Sequence, residues 1–495
     1  MKPEILILLQ ILIPVAGIVS CMLISDISRI LKVPVITSVF SLFVSVLLAV
    51  QFHFAGAHAI IRNNFLVDAL SLYHLFLVNV IFCLSAVYAT GYFRRQHDEG
   101  ELTFGYARRY TMLWQAFQSM LIIVLLSNNI GIMWIAIEAT TIVSSFLIIS
   151  DNNSLSIEAM WKYLLICSVG IVIAFMGTVL TVAAAGNLPA ENSGYLFSQL
   201  IKYPELLDAK LMLFAFILLA IGFGTKAGFS PMHTWLPDAH SQAPTPVSAV
   251  FSGVMLNCAL YCIMRYLPIT EAALGMDGQA HSILLLFGFM SLFFAAVFIP
   301  VQHDIKRLLA YCSVEHIGII AIGLGLGGLG TFAALLHTAN HSISKVLAFF
   351  SAGYIGEHYG TRNMHRITDA VRQVPWWGGA FFISILVLVG VAPFSVFMSE
   401  FLIAREAFFA GKYVLFVLFV FGSFAVFVNL LKHVLDVSFG KHETSGKIKM
   451  KVRFVDKIII VAGVAALLVP GLWIPSPLSD FLKQAAAIVE NGVSL

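Results

Sequence analysis

Apolar residues run through this chain in stretches of about 20, each long enough to cross a hydrocarbon core of roughly 30 Å, with shorter polar connections between them. Counting these runs predicts fourteen helices, near 4–24, 33–54, 66–90, 111–126, 128–150, 162–185, 211–231, 245–266, 281–300, 306–325, 330–356, 380–410, 412–432 and 454–474. The predicted fold class is an all-α polytopic membrane protein. The first run has almost no basic lead and is followed by spans of the same character, so it reads as a retained helix and not a cleaved leader.

Two runs look interrupted. The seventh carries Gly222, Gly224, Gly228 and Pro231 around a single lysine, Lys226. The twelfth has about 31 residues, roughly 46 Å of helix, too long for one straight span, and Gly390 and Pro393 sit in its middle. Discontinuous helices at corresponding places in two halves point to an ion site at the midplane of a repeat-built transporter. The halves are 111–266 and 281–432, five spans each and therefore inverted. A three-helix segment, 1–110, precedes them, and a basic loop with a final helix, 433–495, follows. The internal match is slight: Ala227-Gly-Phe-Ser230 against Ala392-Pro-Phe-Ser395.

Composition agrees with the pattern. Charged residues make up 11% of the chain and apolar ones 59%, whereas a soluble chain carries roughly 25% charge. The net charge of +3 is too small and scattered to suggest nucleic acid. Connections that follow odd-numbered runs hold 19 of the 29 Lys and Arg and the opposite side holds 8. The excess of basic residues inside the cell puts both termini on the non-cytoplasmic side. The strongest contributors are the loop with Arg94, Arg95, Arg108 and Arg109, and the Lys441–Lys457 loop, the only long hydrophilic segment.

The six cysteines, Cys21, Cys83, Cys167, Cys258, Cys262 and Cys312, fall within or at the ends of apolar runs and form no CxxC pair. Cys258 and Cys262 share a helix face, but no further clustered donors complete a metal site beside them. No iron–sulfur, flavin or nucleotide motif occurs, so neither cofactor nor metal is expected. Electrons of any associated redox reaction travel elsewhere.

Inside the spans the ionisable groups are Glu138, Lys226, His316, His337, His341, Lys345 and Glu400. A lysine near the centre of a membrane helix costs about 2.5–3.5 kcal/mol on insertion scales, so each such group is expected to face a polar cavity or a partner. Glu138 lies deep in the fifth run. Desolvation favours the neutral forms of Glu138 and Lys226 and mutual attraction the charged ones, so a pair whose separation changes can load and release a proton. A static ion pair is the alternative. His337, His341 and Lys345 stand at i, i+4 and i+8, a ladder of about 12 Å on one helix face. Histidine titrates near neutrality and passes protons between its nitrogens, so the ladder suits a relay, although a membrane histidine also serves as an interhelical hydrogen-bonding group. His316, after Asp304-Ile-Lys306-Arg307, offers a further stepping stone or a structural contact. Glu400, beyond the second break, can pass protons to the far side or be held by Arg405. Pro231, Pro237, Asp238 and His240 suit a helix end leaving the membrane, with Asp238 tying down loops.

The run Lys226-Ala-Gly-Phe-Ser-Pro-Met-His-Thr-Trp-Leu-Pro-Asp-Ala-His240, continued by Ala243-Pro-Thr-Pro-Val-Ser-Ala249 and Ser252-Gly253, resembles the antiporter-like membrane subunits of respiratory complex I and their relatives in Mrp antiporters and energy-converting hydrogenases. Asp304-Ile-Lys-Arg-Leu-Leu-Ala-Tyr311 and His341-Ser-Ile-Ser-Lys345 resemble the tenth and eleventh helices of the same family. The resemblance implies fourteen helices, two inverted five-helix repeats and a hydrated axis along which protons move. It matches Glu138, Lys226, Lys345 and Glu400 to the family's ionisable positions on helices five, seven, eleven and twelve.

Asn257 departs from this pattern. It stands where the family usually has a connecting lysine on helix eight, and an amide can hydrogen-bond water but cannot hold the proton. The Asn257 context and the His337/His341/Lys345/Glu400 combination are most similar to the hydrogenase-4 and formate hydrogenlyase branch. The tail after the last run is short, where one class of these subunits has a long lateral helix. The resemblance implies a bacterial inner-membrane protein, surrounded by lipid, whose partners are other membrane subunits of a redox-driven complex. A subunit of a cation/proton antiporter and a non-pumping membrane scaffold are the alternatives.

Overall fold

The computed structural model describes residues 3–149, 154–189, 194–440 and 450–492. Its contacts cluster into two units. The first holds Met1–Ala227, Val254–Ile283 and Asp480–Leu495; the second holds Gly228–Gly253 and Leu284–Ser479.

The first unit begins with α1 (Pro3–Leu23), α2 (Val33–Ala55), α3 (Ala69–Asp98) and α4 (Phe104–Leu126). It continues with α5 (Ile130–Ile148), α6 (Ser154–Ala184) and the first half of α7 (Ala209–Ala227). The second half of α7 (Trp235–Gln242) belongs to the second unit. The next helix, α8, is composite: Thr245–Val250, a π-helical turn at Phe251–Met255, and Leu256–Ala273. The second unit then carries α9 (Gln279–Phe298), α10 (Ile305–Leu326), α11 (Leu329–Tyr359), the two halves of α12 (Pro375–Leu388 and Ser395–Phe409), α13 (Tyr413–Phe439) and α14 (Phe454–Leu472). The final helix, α15 (Ser476–Asn491), returns the chain to the first unit.

Among the described residues, twelve helices are long and apolar enough to cross a membrane. The shortfall from the expected fourteen falls on α11 and α12. The first is 31 residues long but studded with polar groups, and the second is split into pieces of 14 and 15 residues. These two helices carry His337, His341, Lys345 and Glu400, whereas Glu138, Lys226 and His316 lie on helices that count as apolar spans.

Helix ends differ from the apolar runs because the runs measure only the hydrocarbon layer, while backbone hydrogen bonding continues beyond it. Arg94 and Arg95 therefore lie on the last turns of α3, and Arg108 and Arg109 on the first turns of α4, not in a loop. The start of α4 is fixed by Thr103, whose hydroxyl accepts the Tyr106 amide at 3.2 Å. A short hairpin, His58–Ile60 paired with Phe65–Val67, was not foreseen. Nor was α15, which is too polar for a span but amphipathic: Leu482, Ala485, Ala486 and Val489 form one buried stripe at helical spacing. Residues 441–449 of the expected basic loop lie outside the described residues.

Candidate functional site

Each unit contains a fully buried lysine, and the surroundings of the two lysines can be compared. In the first unit Lys226 ends the first half of α7 and is 0% exposed. Gly228, at φ +92°, turns the chain out of the helix in the left-handed region that glycine tolerates, and Pro231 follows through a cis Ser230-Pro231 bond. Lys226 Nζ donates to Thr141 Oγ1 at 2.6 Å and to Tyr163 OH at 3.2 Å. The Tyr163 hydroxyl also shares a 2.7 Å hydrogen bond with Ser144 Oγ.

Glu138 is not the contact partner of Lys226. Its Oε1 accepts from Ser168 Oγ at 2.9 Å, its Oε2 is buried without a hydrogen-bond partner, and it acts on Lys226 through space. Thr141 lies one helical turn from Glu138 on α5, and it is Thr141 that the ammonium reaches. The thiols of Cys167, Cys258 and Cys262 also surround Lys226 electrostatically. Asn257 is 3% exposed on α8, just after the π-helical turn.

The same unit holds a buried ion pair absent from the sequence expectations. Arg265 on α8 donates to both carboxylate oxygens of Asp68, at 2.6 and 2.8 Å, and to Tyr261 OH. Asp68 also caps α3 through the Ser71 amide. The capping pattern Asp68-x-x-Ser71 was readable; its partner, distant in sequence, was not.

In the second unit α11 carries His337, His341 and Lys345, all 0% exposed. His337 Nε2 and His316 Nδ1 of α10 share a 2.8 Å hydrogen bond, and His337 Nδ1 meets Ser399 Oγ at 2.9 Å. The His341 ring lies 5.4 Å from that of His316, but neither of its nitrogens has a hydrogen-bond partner. Lys345 Nζ donates to the Leu309 carbonyl at 2.9 Å and to the Cys312 thiol.

The break in α12 resembles that in α7: Gly390 at φ +69°, then a cis Ala392-Pro393 bond. A Cβ on Gly390 would collide with the Glu400 carboxylate, so this glycine leaves room for that side chain. Glu400 lies close to His316 and His337, the donor atoms of all three within 4.8 Å of one another. Arg405 does not hold it; the guanidinium sits over the Phe409 ring at 5.6 Å.

Asp238 pairs with Arg307 at the start of α10. His240 requires a correction. Like Asp238, it lies in the second half of α7 and not in a loop; it is 0% exposed, stacked on Phe349 at 5.0 Å with Phe251 at its edge. The helix restarts at Trp235, and Pro237, in its first turn, costs no hydrogen bond there. Glu315 of α10, 2% exposed, is a buried carboxylate that the apolar pattern did not single out.

Residues 127–425 match the family described as NADH:quinone oxidoreductase/Mrp antiporter, TM. The chain is 37% identical over 379 residues to a hydrogenase-4 component F homolog from Methylacidiphilum infernorum, covering 76% of this chain and 79% of that protein. It is 28% identical over 345 residues to Escherichia coli hydrogenase-4 component B, covering 67% of this chain but only about half, 49%, of that longer protein. In fold it is similar to a chain of the Mrp complex from Dietzia, with a TM-score of 0.85 at 19% identity, covering 99% and 98% of the two chains. With a family match over more than half its length and helices arranged as in these membrane subunits, the chain belongs to the NADH:quinone oxidoreductase/Mrp antiporter transmembrane family.

Proposed function

We propose that the chain is the proton-translocating membrane subunit of a redox-driven complex, hydrogenase-4-like or NADH:quinone oxidoreductase-like. It sits in a bacterial inner membrane with other membrane subunits as partners. In this reading fourteen segments cross the bilayer, both termini face away from the cytoplasm, and 111–266 and 281–432 form inverted repeats.

The observation that carries the proposal is Lys226. It is fully buried in a membrane helix, at its break, and is held by two neutral hydroxyls with no carboxylate in contact. A buried charge kept for stability is normally paired in contact; one kept to exchange a proton must be able to lose it. A redox step in partner subunits changes the distance between Glu138 and Lys226, and Lys226 takes up or releases its proton as that field changes. His316, His337, His341, Lys345 and Glu400 form the relay of the second unit. Around Asn257, where no group holds a proton, water and hydroxyls carry the transfer.

Lys226→Gln and Glu138→Gln, tested in the intact complex, are expected to abolish proton translocation while partly sparing electron transfer. Normal pumping in both variants refutes the proposal. Membership of the family supports a second reading, a subunit of an Mrp-type cation/proton antiporter. Sodium-dependent proton flux in vesicles without an electron donor separates it from the first.

A further inference from the structure

Two clusters of buried donors in the second unit share one residue. Cys312, Glu315 and His316 of α10 bring their donor atoms within 4.8 Å of one another, and so do His316, His337 and Glu400. Glu315 has a thiol contact, from Cys312, and feels the Lys345 ammonium through space; its Oε2 is buried without a hydrogen-bond partner. The same thiol accepts from the Lys345 ammonium. Polar hydrogens therefore link Lys345 through Cys312 to Glu315, and His316 to His337, and the Glu315 and His316 donor atoms between these two links lie within 4.8 Å of each other.

We infer that Glu315 is a proton-carrying residue, taking its proton from Lys345 through the Cys312 thiol and passing it to His316. This rests on the transport reading above. The competing route runs straight up α11, from Lys345 to His341 to His337. Each route has one step without a direct side-chain hydrogen bond, at His341 on α11 and between Glu315 and His316 on α10. What favours α10 is that Cys312 joins Lys345 to Glu315 and that the Glu315 and His316 donor atoms lie within 4.8 Å of each other.

The transfer balances. An N–H bond of the Lys345 ammonium breaks as an S–H bond forms on Cys312. The original S–H breaks as an O–H forms on the Glu315 carboxylate. Lysine and glutamate end neutral and the thiol is unchanged, so no net charge is created in the apolar interior. In the next step the Glu315 O–H gives its proton to His316 as His316 gives one to His337 across their 2.8 Å hydrogen bond. Glu400 on α12 feels the Glu315 carboxylate electrostatically, and His337 and His341 on α11 face the neighbouring His316.

The test uses inside-out membrane vesicles containing the intact complex and reads proton flux per electron transferred. Glu315→Gln is isosteric and is expected to lower flux about 100-fold, within the range a positioned proton donor contributes. Glu315→Asp restores part of it. Cys312→Ala loses flux as Glu315→Gln does, and Cys312→Ser loses less, because a hydroxyl still accepts and donates. Wild-type flux in Glu315→Gln overturns the inference. So does equal behaviour of the Cys312 serine and alanine variants, the result a packing role gives; that contrast decides the matter if Glu315→Gln fails to accumulate in the membrane. Should Lys226→Gln abolish flux while Glu315→Gln is normal, only this inference falls. Should both pump normally, the transport reading falls with it.

Discussion

Replacing two buried cations by methionine, in separate variants, tests whether Lys226 and Arg265 differ in kind. Arg265→Met leaves the Asp68 carboxylate, 1% exposed, without its two guanidinium hydrogen bonds and without a counter-charge. Orphaning one half of a buried pair costs about 3–5 kcal/mol. Lys226→Met breaks contacts to neutral hydroxyls only, that of Tyr163 keeping its bond to Ser144, and Glu138 keeps its bond from Ser168 while losing a distant counter-charge. The lysine itself costs about 2.5–3.5 kcal/mol to place at mid-membrane, offset by two charge-assisted hydrogen bonds of about 1.5–3 kcal/mol each. Together the two bonds, about 3–6 kcal/mol, match or exceed that cost, so the expected loss runs from about zero to about 3 kcal/mol and stays below that of Arg265→Met. Thermal inactivation of the detergent-purified chain measures the difference: Arg265→Met loses its fold at a clearly lower temperature than Lys226→Met, while proton flux is lost in Lys226→Met. Equal destabilisation by the two substitutions would make Lys226 a structural residue and refute the argument.

Other substitutions test neighbouring parts of the site. Gly390→Ala places a Cβ against the Glu400 carboxylate at a left-handed φ; proton flux should fall, with about 1–3 kcal/mol lost in a thermal melt. Thr141→Ala removes the 2.6 Å contact to Lys226 and should slow flux more than Tyr163→Phe, which removes the 3.2 Å one; flux measured in vesicles ranks them. Arg307→Ala breaks a pair whose side chains are 38% and 23% exposed, so its melting temperature should shift by no more than about 1 kcal/mol implies.

Much of this arrangement was legible in the sequence because membrane helices announce themselves by length and their breaks by glycine and proline. Lys226, Gly228 and Pro231 marked the first break, and Gly390 and Pro393 the second. Helix ends were less legible, since α3 and α4 continue as helix past their apolar stretches into charged ones. Side-chain partners were the least legible. Glu138 and Thr141 lie one turn apart on α5, and spacing alone cannot say which of them the lysine meets. The pairing of Arg265 with Asp68 joins residues 197 positions apart. Glu315 had a local signal, its place three residues after Cys312 on the same helix, but the adjacent His316 drew the reading.

The two buried lysines share a design that the Asp68–Arg265 pair lacks. Lys226 bonds a threonine and a tyrosine hydroxyl while Glu138 acts from a distance; Lys345 bonds a thiol that in turn bonds Glu315. At a contact separation of about 4 Å, opposite charges attract by about 4 kcal/mol at an effective dielectric of 20, and doubling the distance halves that. Contact therefore locks both partners in their charged forms, which suits Asp68 and Arg265. One interposed neutral group leaves about 2 kcal/mol, a bias small enough for a neighbouring conformational change to reverse. At Lys345 the interposed thiol also carries a hydrogen of its own, so it weakens the attraction while linking the lysine to Glu315. A methyl or methylene spacer would weaken the attraction equally and break that link.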